Sequence, residues 1–347
     1  MESPHDVERL IAVPRDRKFR SGICANGGVP CQRRRAFLCL VFIALATALI
    51  HGRYGGCGSV PGVWLAQLAD TSEQRYYANT RTLLDLPLPQ LLKALPELRG
   101  LEPAANQEQL PLILREVGKG VEESYQDLPN VVAKEEVTQE QLEGINGRVK
   151  QTFHRGFSYL VLAHNESGRE TVTEYRVDAQ GERIEPQGLV PGMSITEGFA
   201  CMWALFFPGN QSESNFRYLG RQSLSGRETQ VVAFAQRPGW SVVTGRSGWK
   251  GKSVVLLYQG LAWIDTANNR IIRMRLDLLA PRLDVKLEEL TSQIEYAETR
   301  LAGTDTVLWL PLKVTVTTVA NGEVFRNLHL YSNYKRFVVN STIKPVE

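Results

Sequence analysis

From residue 151 onward, apolar and polar residues alternate with a period of two, the spacing of strands that bury one face. The pattern recurs over residues 157–163, 171–177, 228–235, 254–264, 270–278, 289–296, 307–319 and 324–339. In two segments it is clean. Ile272, Met274, Leu276 and Leu278 oppose Arg273, Arg275 and Asp277, and Leu310, Leu312, Val314 and Val316 oppose Pro311, Lys313, Thr315 and Thr317. Such alternation belongs to an antiparallel sheet with one wet face. Residues 265–269 (DTANN) read as a hairpin connection, and Asn321-Gly322 is a two-residue turn suited to the strand twist. About eight strands in series with short links predict an antiparallel meander, not βαβ units.

Residues 71–130 follow a different rhythm. Pro87, Pro89 and Pro96 cut the stretch 83–98 into short helical pieces. Leu110, Ile113, Leu114, Val117, Val121 and Tyr125 then recur at helical spacing, with Asn106 as the candidate cap and Pro129 as the stop. Residues 131–147, charged and mixed, read as loop and a short helix. Within the strand region one segment breaks the alternation. Ser194-Ile-Thr-Glu197 is a capping box, and residues 199–207 (FACMWALFF) are apolar throughout before Pro208-Gly209 ends the run. A helix apolar on every side and far short of the roughly 20 residues of a membrane span must be buried, and the concave face of a sheet offers that burial.

A third pattern lies near the N-terminus. The run that opens at Ala36 and ends at Ile50 has fourteen apolar residues and one Thr, directly after Arg33-Arg34-Arg35. A basic flank before a short apolar run is a secretory signal or a short signal-anchor, and either places the body outside the cytoplasm. Residues 1–50 are therefore expected to be a tail plus this leader, 51–150 a linker and helical segment, and 151–347 the sheet domain. Charge follows the same division. The chain of 347 residues carries a formal +3, yet residues 1–57 hold nine Lys/Arg against four Asp/Glu, leaving 31 against 33 for the remainder. The folded part is slightly acidic, which argues against nucleic acid as a partner. Of five Cys, only Cys201 lies away from the leader; it is either an unpaired core residue or a disulfide partner of Cys57, and Cys57 is itself a lipidation candidate.

Catalytic and metal patterns are tested next. Val242-Val-Thr-Gly245 with Gly251-Lys252-Ser253 imitates a phosphate-binding loop, but five residues separate the glycines and a strand, not a helix, follows. No G-x-S-x-G, H-E-x-x-H or C-x-x-C occurs, and none of His154, His164 and His329 stands at ligand spacing with another His. Asp265 and Arg270 bracket a turn and read as its stabilisers. Arg217, Arg221, Arg227, Arg237 and Arg246 near Trp240 and Trp249 read as solvated positions or as a surface for anionic headgroups. No cofactor, metal or catalytic residue is expected.

Tyr258-Gln-Gly-Leu-Ala-Trp-Ile-Asp265, Arg270-Ile-Ile-Arg273, Leu308-Trp-Leu-Pro311 and the stretch holding Asn327, Tyr331, Tyr334 and Phe337 resemble uncharacterised exported bacterial proteins and, more distantly, the lipoprotein-carrier (Lol-type) fold. That resemblance implies an α+β fold: a strongly curved antiparallel sheet of about eight or more strands, an incomplete barrel with helices on its concave side, here joined to a helical N-terminal segment. It transfers no catalytic signature. The expected function is a non-enzymatic envelope protein binding an acyl chain, a lipoprotein or another amphiphile. Phe199, Met202, Trp203, Phe206, Phe207, Met274 and Leu276 are its cavity candidates. Two rival readings stand beside it: an envelope module with a packed core that binds another protein, and an enzyme whose polar residues meet only in three dimensions.

Overall fold

The computed structural model describes residues 71–166, 169–184, 199–200, 202–239, 241, 243–301 and 307–337, all within one compact unit, Gly55–Glu347. The leader, Cys57, Cys201 and the capping box at 194–197 lie outside the described residues. Three helices come first: α1 (Thr71–Tyr77), α2 (Leu88–Ala94) and α3 (Leu110–Asp127), with 3-10 turns at Leu83–Asp85 and Pro96–Leu98. The prolines divide this stretch as expected, and Pro87 and Leu95 flank α2.

Fourteen strands are described. β1 (Glu102–Pro103) stands between α2 and α3, and β2 (Val131–Leu142), β3 (Val149–Glu166), β4 (Arg169–Val177) and β5 (Arg183–Ile184) follow α3. After the 3-10 segment Met202–Phe206 come β6 (Ser214–Leu224), β7 (Arg227–Gln236), β8 (Gly245–Trp249) and β9 (Lys252–Leu256). The chain closes with β10 (Tyr258–Asp265), β11 (Ile271–Leu278), β12 (Leu287–Arg300), β13 (Val307–Ala320) and β14 (Glu323–Arg336). Twelve of them form one open antiparallel sheet in the order β1-β6-β7-β10-β11-β12-β13-β14-β2-β3-β4-β5. β8 and β9 make a separate hairpin through Lys250-Gly251, both at positive φ. Where a phosphate loop would need Gly251-Lys252 to open a helix, the chain turns a hairpin.

β10 to β14 run as the expected meander. Asn321 and Gly322 both take positive φ, 53° and 76°, so the β13–β14 turn twists with its strands. At 265–269, Asp265 and Arg270 close the turn through the Asp265 N–H at 2.9 Å, and Asp265 Oδ1 accepts from Ala267 N at the same distance. Arg227 adds a charged contact to Asp265 at 2.6 Å, which leaves this carboxylate engaged in the turn.

Three expectations change. Residues 131–147 were expected as loop and short helix, but β2 occupies most of them and pairs with β14 and β3. Its inward positions include Glu135 and Gln139, and polar residues there erase the apolar alternation that marks a strand. Ile272 was expected beside Met274, but a register shift between β10 and β11 places Ile271 in the larger cluster and Ile272 in the opposite one. Leu312 was expected on the apolar face, but it falls at the β12–β13 register shift and is 51% exposed. A bulge inserts one residue and so reverses the faces around it.

β7 and β10 are buried on both sides, so the sheet has no wet face there. Val232, Phe234, Ala262 and Ile264 join the larger cluster, which also holds Ile113, Val117 and Val121 of α3; this defines the inner face. Val231, Ala233, Leu261 and Trp263 lie on the outer face under Leu91, Leu95, Leu98 and Leu101. Gln222 ties this layer down: its Nε2 donates to Glu97 O and Arg99 O at 2.8 and 2.9 Å, and its Oε1 accepts from Trp263 Nε1 at 2.8 Å.

Leu98 is fully buried in this outer layer whereas Leu92 is 38% exposed. Leu98→Ala is expected to destabilise the fold by about 2–5 kcal/mol, and Leu92→Ala by less than about 0.5 kcal/mol. Urea unfolding followed by tryptophan fluorescence measures both; equal, small losses would mean that residues 83–101 do not cover the sheet.

Candidate functional site

The apolar segment 199–207 is not an α-helix. Its described core is one 3-10 turn, Met202–Phe206, in which every side chain is buried. Such a turn has poorer hydrogen-bond geometry than an α-helix, and contacts from outside hold this one. Gln211 Nε2 donates to Phe206 O at 2.9 Å and to Leu114 O of α3 at 2.8 Å, and Asn210 Nδ2 donates to Ala204 O at 2.9 Å. Gly118 lets α3 come this close, since a Cβ there would lie 2.7 Å from Gln211 Nε2 and 3.3 Å from Phe206 O. Tyr125 of α3 meets Trp203 edge-on at 4.4 Å and Phe207 at 5.7 Å, while Phe206 lies 5.3 Å from Phe216 and 5.9 Å from Phe234.

The seven cavity candidates share one buried cluster. Phe199, Met202, Trp203, Phe206, Met274 and Leu276 belong to the inner cluster, and Phe207 packs half-buried against it. Tyr296 binds both parts: its hydroxyl donates to Phe199 O at 3.0 Å and lies 3.9 Å from Met274 Sδ. Two surface clefts, of about 350 and 520 Å³, lie elsewhere, one along residues 92–101 and one between α1 and β7.

The inner face changes character toward β14, β2, β3 and β4. Here strand alternation aims Glu135, Gln139, Tyr159, Glu174, Arg176, Asn327, His329 and Tyr331 inward, and all are buried. Arg176 grips Glu135 with two nitrogens, Nη2 at 2.8 Å from Oε1 and Nε on Oε2. Glu135 Oε1 also accepts from the Tyr331 hydroxyl at 2.8 Å and faces His329 Nδ1 at 2.9 Å. Tyr159 donates to Glu174 and packs on Tyr331, with ring centroids 4.9 Å apart. The ring of Phe199, which opens the apolar segment, stands edge-on to His329 at 5.4 Å.

Burial opposes ionisation of Glu135, but the Arg176 charge and the hydrogen bonds from His329 and Arg176 outweigh it and bring the carboxyl down to about 2. Burial holds the His329 imidazole below its ordinary value, against the opposing pull of Glu135. A carboxylate facing a neutral imidazole accepts a hydrogen bond from it, so Nδ1–H is the donor and Nε2 carries the lone pair. Burial likewise raises the Tyr159 and Tyr331 hydroxyls, which remain donors. Among the described residues, His329 Nε2 and Gln139 Nε2 find no hydrogen-bond partner. Each such atom costs about 1–3 kcal/mol when buried.

Sequence reasoning passed over this network. His329 lacks a second His at ligand spacing, and Glu135 and Arg176 lie on strands 41 residues apart. The available signal was Glu135 and Gln139 standing in step with the apolar Val131, Ala133 and Val137, and Asn327, His329 and Tyr331 at every second position of 327–331. No group of three His, Cys, Asp or Glu able to hold a metal occurs among the described residues. No described helix is long and apolar enough to cross a membrane. The arginines read as a surface are partly engaged in structure: Arg217 donates to Leu84 O and Leu86 O at 3.2 and 2.6 Å, and Arg227 lies over Trp309.

No family model matches the chain, and no curated protein matches it. Among solved structures it is similar to a DUF1329 family protein from Desulfovibrio piger, with 9% identity, 67% of this chain and 94% of that one covered, and a TM-score of 0.38. A LolA superfamily protein from Nitrosomonas europaea matches at 10% identity over 64% and 94% of the two chains, with a TM-score of 0.29. The lipoprotein LppX from Mycobacterium tuberculosis matches at 12% over 66% and 98%, with a TM-score of 0.23. One of the three is named as a LolA superfamily protein, the type of fold the C-terminal motifs resemble. At such scores they carry no argument about activity, which rests on the chain's own residues.

The network fixes a pH dependence. The folded value of His329 is lowered, so as pH falls below 6.5 the unfolded chain takes up the proton first and stability declines. Glu135 acts in the same direction between its ordinary 4.5 and about 2. Thermal unfolding is therefore expected at lower temperature at pH 5 than at pH 7, and His329→Gln should remove much of that difference. An unchanged pH slope in the variant would contradict the buried neutral imidazole.

Proposed function

We propose that this is a non-enzymatic protein of the cell envelope that takes up an acyl chain, a lipoprotein or another amphiphile on the inner face of its sheet, where residues 199–207 now sit. The observation that carries the reading is the 3-10 turn Met202–Phe206. It is wholly apolar and belongs to no strand, and its side chains are buried in the cluster on the inner face of an open sheet. An acyl chain offers the same apolar surface, so exchanging one for the other conserves burial at about 25 cal/mol per Å² on either side of the equilibrium. In this reading the turn and α3 close the concave side, residues 151–347 contribute most of the sheet, and the Ala36 to Ile50 leader directs export.

One observation favours the packed-module reading instead. Six of the seven candidate side chains are 9% exposed or less, as in a filled core. The two readings part on a single experiment. A polarity-sensitive fluorescent fatty acid is titrated into the full chain and into Trp203→Ala, which loosens the turn from Tyr125. The proposal expects saturable binding to the native chain, tightened several-fold by the substitution because less packing must be displaced. If neither protein binds the probe, and native mass spectrometry of chain purified from its host shows no lipid, the core is simply packed.

A further inference from the structure

The polar half of the inner face supplies what the apolar half lacks, a place for a headgroup. Resting on the acyl-chain reading above, we infer that His329 and Gln139 recognise an uncharged, hydroxyl-bearing headgroup, such as a glyceryl ester, in preference to a phosphate or a carboxylate. The geometry begins with register. Gln139 on β2 pairs opposite Asn327 on β14, and His329 is the next residue on the same face of β14. Diagonal neighbours of this kind stand about 7–8 Å apart, a span that one hydroxyl or two vicinal hydroxyls bridge. Both residues are buried, His329 fully and Gln139 to 1% exposure.

The two atoms are complementary. Gln139 Nε2 can only donate. His329 Nδ1 faces the Glu135 carboxylate, which leaves Nε2, on the far side of the ring, as an acceptor. A hydroxyl is the group that accepts from the first and donates to the second. A carboxylate or a phosphate dianion has only acceptors for both and meets the His329 lone pair with its own.

Charge points the same way. Arg176, on the same face of the sheet, is already held by both oxygens of Glu135 and so is engaged before any headgroup arrives. The approach is shared with the apolar segment: Phe199 stands against the His329 ring, so moving residues 199–207 aside for an acyl chain also uncovers the imidazole.

The test holds the hydrocarbon chain constant and changes the head. Monooleoylglycerol, oleate and oleyl phosphate each compete with the fluorescent fatty acid at pH 8, where the phosphate is a dianion, on the full chain, on His329→Phe and on His329→Gln. The native chain is expected to bind monooleoylglycerol about tenfold tighter than either anion, one hydrogen-bonded match against one mismatch. His329→Phe should abolish that preference while retaining the acyl chain, and His329→Gln, which keeps an acceptor, should restore part of it. If His329→Phe does not fold, nitrogen-15 NMR of the native His329 imidazole replaces it. Monooleoylglycerol should move the Nε2 signal, and Gln139→Leu should weaken the shift. Equal affinity for the three heads, with an unmoved Nε2 signal, overturns the headgroup inference and leaves the acyl reading standing; the two atoms then serve a water. Tighter binding of an anion also overturns it. Failure of all three to bind removes the acyl reading and this inference together.

Discussion

A wide antiparallel sheet whose middle strands are apolar on both sides must be covered twice. β7 and β10 impose this constraint, because Val231, Ala233, Leu261 and Trp263 turn one way and Val232, Phe234, Ala262 and Ile264 the other. Burying a large aliphatic or aromatic side chain contributes about 1.5–3 kcal/mol. Leaving either set in water would forfeit much of the margin that keeps a domain folded. The rest of the architecture answers that demand. Residues 83–101 lie on the outer face, where prolines keep the pieces short enough to follow a twisted surface. α3 and the Met202–Phe206 turn lie on the inner face.

The two covers differ in how they are bonded. The outer layer is pinned by Gln222, which bonds two backbone carbonyls and the indole of Trp263 at once. The inner cover is α3 with a 3-10 turn, and among the described residues the turn is joined to α3 by one bridging side chain, Gln211, and by the ring contacts of Tyr125. A structure that exchanges one of its layers for a ligand would put its weaker internal bonding there. Beside that turn the sheet turns polar, and the buried Glu135–Arg176 pair with His329, Tyr331 and Tyr159 holds four strands in register. Breaking such a pair by removing one partner is costly, because the other is left charged and buried.

Much of this was legible in the sequence where one rule sufficed. The β13–β14 turn announced itself through Asn321-Gly322, α3 through its helical spacing, and the burial of Met202–Phe206 through nine apolar residues in a row, although a 3-10 turn stands where a helix was expected. What was hidden had a common cause. β2 was invisible as a strand because Glu135 and Gln139 occupy inward positions, and the same two residues build the polar half of the inner face. A reading based on apolar alternation fails where function or specificity places polar groups inside. Ile272 and Leu312 failed differently, through bulges that shift the faces by one residue without any mark in composition. The outer cover was missed because β7 and β10 read as short apolar runs, which do not reveal how many faces they bury.

The central claim is that the Met202–Phe206 turn is a separable cover and not a fixed part of the core. Hydrogen exchange tests it most directly, through the amides of Phe207, Asn210 and Gln211, which bond back to Ala204 O and Phe207 O. The account predicts that these amides exchange by a local opening well below the global unfolding free energy of β7 and β10. It also predicts that they exchange faster still when monooleoylglycerol is bound. Exchange at the same rate as the β7 and β10 amides, unchanged by the lipid, would contradict it.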